Sequence, residues 1–187
     1  YKVTFLVQEK TFIKALKSPK EKEAAFRELV RLYKERLYWH IRKIVLNHDD
    51  ADDVLQNTFI KIFKNIDHFK GDSKLYTWMY RIATNESITF INRRAKRYKI
   101  SSEEVQERAI ENLTTDVYFE GDEIQWKLQK AISKLPQKQQ LVFKMKYFEE
   151  LTYEELSEIL ETSVGGLKSS YHIAVKKITA YLKNETL

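Results

Sequence analysis

The sequence predicts an all-α protein built as two small helical domains joined by an acidic linker, the second domain carrying a helix-turn-helix. Three observations predict it. Only four glycines and two prolines occur in 187 residues, of which 32% are charged, a composition of long amphipathic helices with few tight turns. Apolar residues recur at three- and four-residue steps through most of the chain, and strand alternation is nearly absent. That spacing weakens once, between Ile100 and Asp122, where acids collect. With 43% hydrophobic residues, the chain can fill one medium core or two small ones.

Phe5 to Leu16 reads as a short helix that stops near Ser18-Pro19. Phe26, Leu29, Val30, Tyr33, Leu37, Ile41, Ile44 and Val45 then mark one long amphipathic helix. After Asn47-His48, the acids Asp49, Asp50, Asp52 and Asp53 open another helix, where unsatisfied amides and the macrodipole favour negative charge. The dipole accounts for two of these acids, not four. Val54, Leu55, Thr58, Phe59, Ile62 and Phe63 form the buried face of this helix, leaving Asp52, Asp53, Gln56, Asn57 and Lys61 toward solvent. A short loop around Gly71 leads to a helix that carries Trp78, Tyr80, Arg81 and Asn85 and ends on Arg93, Arg94, Lys96 and Arg97.

These divisions place one domain at residues 1–99, a linker at 100–122 and a second domain at 123–187. The linker holds Glu103, Glu104, Glu107, Glu111, Asp116, Glu120 and Asp122 against Arg108, and reads as a mostly unstructured tether. Such a tether could also lie along a basic channel on a partner. Beyond it, Ile124, Leu128, Ala131, Ile132 and Leu135 give one helix, and Pro136, as a first helical residue, opens the next with Leu141, Val142 and Met145 inside. Thr152-Tyr153-Glu154-Glu155 matches a capping box and fixes the start of a helix to Leu160. Glu161-Thr162-Ser163 forms the turn, with Ser163 as N-cap, and the last helix runs through Val164, Leu167, Tyr171, Ala174, Val175 and Ile178. Lys168, Ser169 and His172 fall on its outer face. Two helices joined by a three-residue turn, the second polar and cationic outside, is the geometry of a recognition helix in a major groove, although a helical hairpin in a bundle has the same pattern.

Composition excludes several function classes. Without cysteine there is no disulfide framework or thiolate metal site, and His40, His48, His68 and His172 lack ligand spacing. The Asp49–Asp53 cluster lacks the glycine and spacing of a calcium loop, and no general acid–base pair stands beside it. No catalytic residue, metal, cofactor or small-molecule substrate is therefore expected. No apolar run reaches membrane-spanning length and no secretory segment opens the chain, so a cytoplasmic protein is expected. A net charge of +6 with a pI near 9.2 suits a polyanionic partner. Aromatic and amide side chains beside cations suit single-stranded bases, which offer stacking faces, exposed edges and a negative backbone. Trp78 fits a core position equally well, and the basic run from Arg93 fits a solvated helix end.

Two blocks, in order, carry a family resemblance. Asp49-Asp50-Ala51-Asp52-Asp53-Val54-Leu55-Gln56-Asn57-Thr58-Phe59, continuing through Phe69 to Ser73 and Thr77 to Asn85, forms the first. Leu135-Pro136, Tyr153 to Leu156 and Val164 to Ser169 form the second. The chain, over roughly Glu23 to Leu182, resembles the small two-domain extracytoplasmic-function class of bacterial RNA polymerase sigma factors. That resemblance implies a promoter-specificity subunit whose partners are core RNA polymerase, promoter DNA and an anti-sigma factor, often membrane-anchored. It implies polymerase binding by Asp52, Asp53, Gln56 and Asn57, and −10 element contacts from Lys70, Gly71, Ser73, Trp78, Arg81, Asn85, Arg93 and Arg94. It implies −35 contacts from Lys168, Ser169, His172 and Lys176.

The chain departs from the family pattern in places. Met79 follows Trp78 where primary sigma factors pair tryptophans, which implies weaker melting. Ser170, Ile173 and Val175 stand at positions usually arginine, while Glu150 and Glu161 stand where turns often hold glycine. Each glutamate costs on the order of 1 kcal/mol if its left-handed conformation persists. Gly165-Gly166 early in the last helix has a similar cost per residue unless DNA approaches closely. The alternative is a stand-alone helix-turn-helix regulator of duplex DNA whose first half dimerises or senses.

Overall fold

The computed structural model describes residues 2–113 and 121–184. Among them are nine α-helices, one 3-10 turn (Ile66–His68) and no strand. In order they are α1 (Lys2–Lys17), α2 (Lys22–Val45), α3 (His48–Asn65), α4 (Leu75–Tyr98), α5 (Ser102–Glu111), α6 (Glu123–Ser133), α7 (Gln137–Tyr147), α8 (Tyr153–Leu160) and α9 (Val164–Asn184). The all-α expectation holds.

Helices α2, α3 and α4 pack on one another through the residues whose periodicity marked them. Leu29, Leu37, Ile41, Ile62, Met79 and Ala83 have no exposed surface. Burial at this level is worth roughly 1.5–3 kcal/mol for each large aliphatic side chain, which is the main force holding the three helices together. Asn47 caps α3 by accepting from the Asp50 amide at 3.0 Å, so the acidic run begins one residue inside the helix.

The second half repeats this logic on a smaller scale. Ala131, Ile132, Leu135, Phe143, Ala174 and Ile178 form a cluster shared by α6, α7 and α9. The capping box is present: the Thr152 hydroxyl accepts from the Glu155 amide, and the Thr152 amide donates to the Glu155 carboxylate at 2.9 Å. Ser163 caps α9 through the Gly166 amide at 3.2 Å. Glu150 (φ 54°) and Glu161 (φ 51°) both adopt the left-handed conformation their turn positions demand.

The two halves do not stand apart. Leu141, Val142, Met145, Leu151, Leu156, Ile159 and Leu167 belong to the same continuous buried cluster as the α2–α4 core, and α8 lies against α4.

Four expectations need correction. Ser102–Glu111 of the expected tether is a helix, capped by Ser101 onto the Glu104 amide at 3.0 Å. Gln106 and Ile110, four residues apart, give it a buried stripe against α4 and α6, enough to order an acidic segment. Asp116 and Glu120 of that tether lie outside the described residues. Phe63 is 37% exposed because it sits at the α3 edge, edge-on to Phe26 at 5.0 Å, rather than in the core. Ile124 is 75% exposed, since it falls in the first turn of α6 ahead of the residues that pack. Pro136 is the N-cap of α7 rather than its first helical residue.

Candidate nucleic-acid interface

The loop between the 3-10 turn and α4 is pinned from three sides. Lys17 donates to the Phe69 carbonyl at 2.5 Å, Lys22 pairs with Asp67 at 2.8 Å, and Glu9 accepts from the Leu75 amide at 2.8 Å. Glu9 thereby replaces the cap that Lys74, at the N-cap of α4, does not provide. Gly71 occupies the turn with φ +81° and nothing within 4 Å of where a side chain would begin, so the conformation, not space, requires glycine. Phe69 is buried, and Trp78 is half-buried with its ring 5.1 Å from it. Trp78 thus serves both readings: one face braces Phe69 and the remainder stays accessible.

Beside this loop lies a cleft of about 630 Å³, lined by Lys10, Lys14 and Lys17 of α1, Lys70, Ser73 and Lys74 of the loop, and Glu158 of α8. The sequence reading missed α1 here. The spacing of Lys10, Lys14 and Lys17, which lies on one helical face, was the signal that could have found it.

Along α4, Arg81 pairs with Glu161 at 3.1 Å, Asn85 is exposed and Arg93 is exposed. Arg94 is half-buried and ion-paired to Asp50. Burial dominates at Asp50 and pushes its carboxyl up, against the pull of Arg94 and with help from Asp53 and Asp49. On α3, Asp53, Gln56 and Asn57 are exposed and Asp52 half-exposed, with His48 3.5 Å from the Asp52 carboxylate. These four form one open strip, separate from the cleft.

Helix α9 buries Leu167, Ala174 and Ile178, so the opposite face looks outward. Lys168, Ser169, His172 and Lys176 all lie exposed there, together with Ile173 and Val175. The Lys168 ammonium also sits 5.7 Å from the Tyr153 ring centre, a cation–π contact to α8.

A buried centre joins the halves. The His40 ring of α2 is fully buried, its Nδ1 2.9 Å from the Glu149 carboxylate and its Nε2 2.8 Å from the Thr84 hydroxyl. Thr84 donates its only proton to the Tyr80 carbonyl at 2.8 Å, so toward His40 it can only accept. His40 thus has a polar partner at each ring nitrogen. Burial alone would raise the Glu149 carboxyl, but the His40 charge and hydrogen bond, with Lys43 and Arg36, bring it below its ordinary value. Nothing in the sequence pairs residues 40 and 149.

This fold and these surfaces define an all-helical protein with a cationic cleft beside the Gly71 loop, an exposed acidic strip on α3 and a polar, cationic outer face on α9. The sigma-70 region 2 family model matches residues 29–97 and the sigma-70 region 4 model residues 125–178. The chain is 33% identical to the ECF RNA polymerase sigma factor SigW of Bacillus subtilis (strain 168), over 79% of this chain and 83% of that one. It is 29% identical to the RNA polymerase sigma-H factor of Pseudomonas aeruginosa, over 78% and 79%. Among solved structures, CnrH in complex with the cytosolic domain of CnrY aligns at TM-score 0.65 and 21% identity, over 94% of this chain and 97% of that one. The sigma factor RpoE in complex with the anti-sigma factor NepR from Bartonella quintana aligns at 0.62 and 20%, over 84% and 96%. The chain belongs to the extracytoplasmic-function (ECF) RNA polymerase sigma factors, and its function is to direct core RNA polymerase to promoters.

Proposed function

We propose that the first domain (1–99) binds core polymerase and the −10 element, that the second (123–187) binds the −35 element, and that 100–122 links them. The observation that carries this reading is the separation of surfaces: the acidic strip on α3, the cleft at Lys70–Lys74 and the outer face of α9 present distinct chemistries in different directions. Asp52, Asp53, Gln56 and Asn57 dock on polymerase. Lys70, Gly71, Ser73 and the α1 lysines cradle an extruded base and its flanking phosphates, which offsets the few kcal/mol of unstacking. Trp78 stacks at the edge of the melted segment, Arg81 and Asn85 follow one and two turns along, and Arg93 grips phosphate.

Lys168, Ser169, His172 and Lys176 contact the −35 major groove. An anti-sigma factor, as bound by one of the similar solved proteins, masks these surfaces until a signal releases the chain. The protein works in the cytoplasm, without catalytic activity of its own. Among the described residues no helix is long and apolar enough to cross a membrane.

Reconstitution with core polymerase on a fragmented genomic library tests this: co-elution and discrete new start sites are expected. Asp52→Arg with Asp53→Arg should abolish co-elution while leaving helical circular dichroism near wild type. Unchanged co-elution would remove α3 as the docking strip. Symmetric dimers that bind a specific duplex without polymerase would point to the stand-alone regulator instead.

A further inference from the structure

We infer that Ile173 reads thymine in the −35 element: its side chain packs on the C5 methyl of one thymine in the major groove and makes that base pair a specificity position. The inference rests on the assignment of α9 to the −35 element and deepens it.

An exposed isoleucine is common on its own, so the place of this one carries the argument. Leu167, Ala174 and Ile178 are buried and mark the inner stripe of α9. On a helix of about 3.6 residues per turn, the side opposite that stripe holds Ser169 and Lys176, with His172 to one side of them and Ile173 to the other. Ile173 stands one turn after Ser169 and one turn before Lys176, and all three are exposed.

Two cations bound this face. At one flank the Lys168 ammonium lies 5.7 Å from the Tyr153 ring centre, and at the other Lys177 donates to Gln139 at 3.4 Å. Cations at the edges of a reading face suit the phosphates on either side of the groove, and the side chains between them face base edges. Ile173 lies between the two lysines. Val175, the other exposed aliphatic of α9, lies beyond Lys168, on the side of half-buried Tyr171.

Chemistry then selects the base. Isoleucine has no donor or acceptor, while the groove edges of guanine, adenine and cytosine are polar. Thymine alone adds an apolar group there, its C5 methyl. Against a polar edge, Ile173 would displace water without replacing its hydrogen bonds, so it selects for thymine and against the other bases at once. Burial of one methyl group corresponds to about a fourfold change in affinity.

The test uses the holoenzyme, the full chain with core polymerase, on a promoter duplex recovered in the reconstitution. Each −35 thymine, on either strand, is replaced in turn by deoxyuridine, which removes the C5 methyl and keeps the pairing. Affinity is measured by fluorescence anisotropy of closed complexes formed in the cold. At one position the wild type should lose about fourfold in affinity on replacement. Ile173→Ala should bind the two duplexes equally at that position, and Val175→Ala should discriminate like wild type. Both variants change exposed side chains to a strong helix former, so helical circular dichroism should stay near wild type.

Wild-type binding that ignores every deoxyuridine would overturn the inference, as would a −35 element without thymine on either strand. So would methyl discrimination that survives Ile173→Ala or is abolished by Val175→Ala. In each of those cases Lys168→Ala with His172→Ala still weakens discrimination between matched and scrambled −35 sequences. Where that discrimination also survives, the placement of α9 on the −35 element falls instead.

Discussion

The outer faces of α4 and α9, proposed to meet the −10 and −35 elements, are built from similar materials but keep different company. Each is a helix with one buried stripe and one polar, cationic face. At the start of α4 and along it that face meets Glu155 of α8 and Glu161 just beyond α8, whereas on α9, among the described residues, Lys168, Ser169, His172 and Lys176 meet no carboxylate from the first domain at ion-pair distance. The difference teaches that the partners each face holds follow from how the helices pack rather than from the chemistry of the face itself. Double-stranded DNA can be met by a rigid exposed helix. Single-stranded DNA exists only after melting, so a face proposed to read it can hold carboxylate partners until phosphates replace them.

The largest expected effect breaks the α4 side. His40→Ala leaves the Glu149 carboxylate buried without its partner, which should cost about 3–5 kcal/mol. Urea unfolding measures it, and Glu149→Gln added to His40→Ala should recover part of the loss.

Lys144 sharpens the comparison from within the second domain. Burial pulls its amine down to about 7, from an ordinary 10.5, at a side chain with only 3% of its surface exposed. The folded value lies below the unfolded one, so the unfolded chain binds the extra proton and wild-type stability rises as pH climbs from about 7 toward 10.5. Lys144→Met should therefore stabilise the protein by a few kcal/mol at neutral pH, with the gain fading toward pH 10.5, as thermal melts across that range would show. Neither DNA-reading face is altered by this change.

On the α9 side, Lys168→Ala with His172→Ala should cost roughly 1–3 kcal/mol for each lost base contact. The readout is discrimination between matched and scrambled −35 sequences by the holoenzyme, with helicity unchanged.

A smaller effect returns to the α4 side. Glu149 has a depressed folded value, so its contribution is complete above its ordinary 4.5 and is lost as pH falls through the lower one. The facing groups are His40, Lys43 and Arg36. Acid titration of wild type against Glu149→Gln should show the two melting curves converging as the carboxylate is protonated.

Much of this was legible in one dimension because helices, caps and turns are local. The capping box at Thr152, the Ser163 cap, the left-handed Glu150 and Glu161 and the outward face of α9 follow from residues within a turn or two of one another. The two blocks also lie where helices α3, α4, α8 and α9 form. What escaped is what sequence distance hides. Nothing near Arg81 announces Glu161, nothing near Arg94 announces Asp50, and the lysines of α1 join the cleft only through folding. The α5 helix was hidden for another reason: its acids outnumber its apolar residues, so composition outweighed a four-residue stripe.

Glu161 shows how local and distant demands meet in one residue. Its backbone at φ 51° would be served better by glycine, and its carboxylate is the partner of Arg81. Glu161→Gly should steady the α8–α9 turn while releasing a hold on α4. Natural or laboratory selection for a sturdier turn and selection for the ion pair between the two halves would thus pull this position in opposite directions. A single codon sets a compromise between near neighbours and far ones.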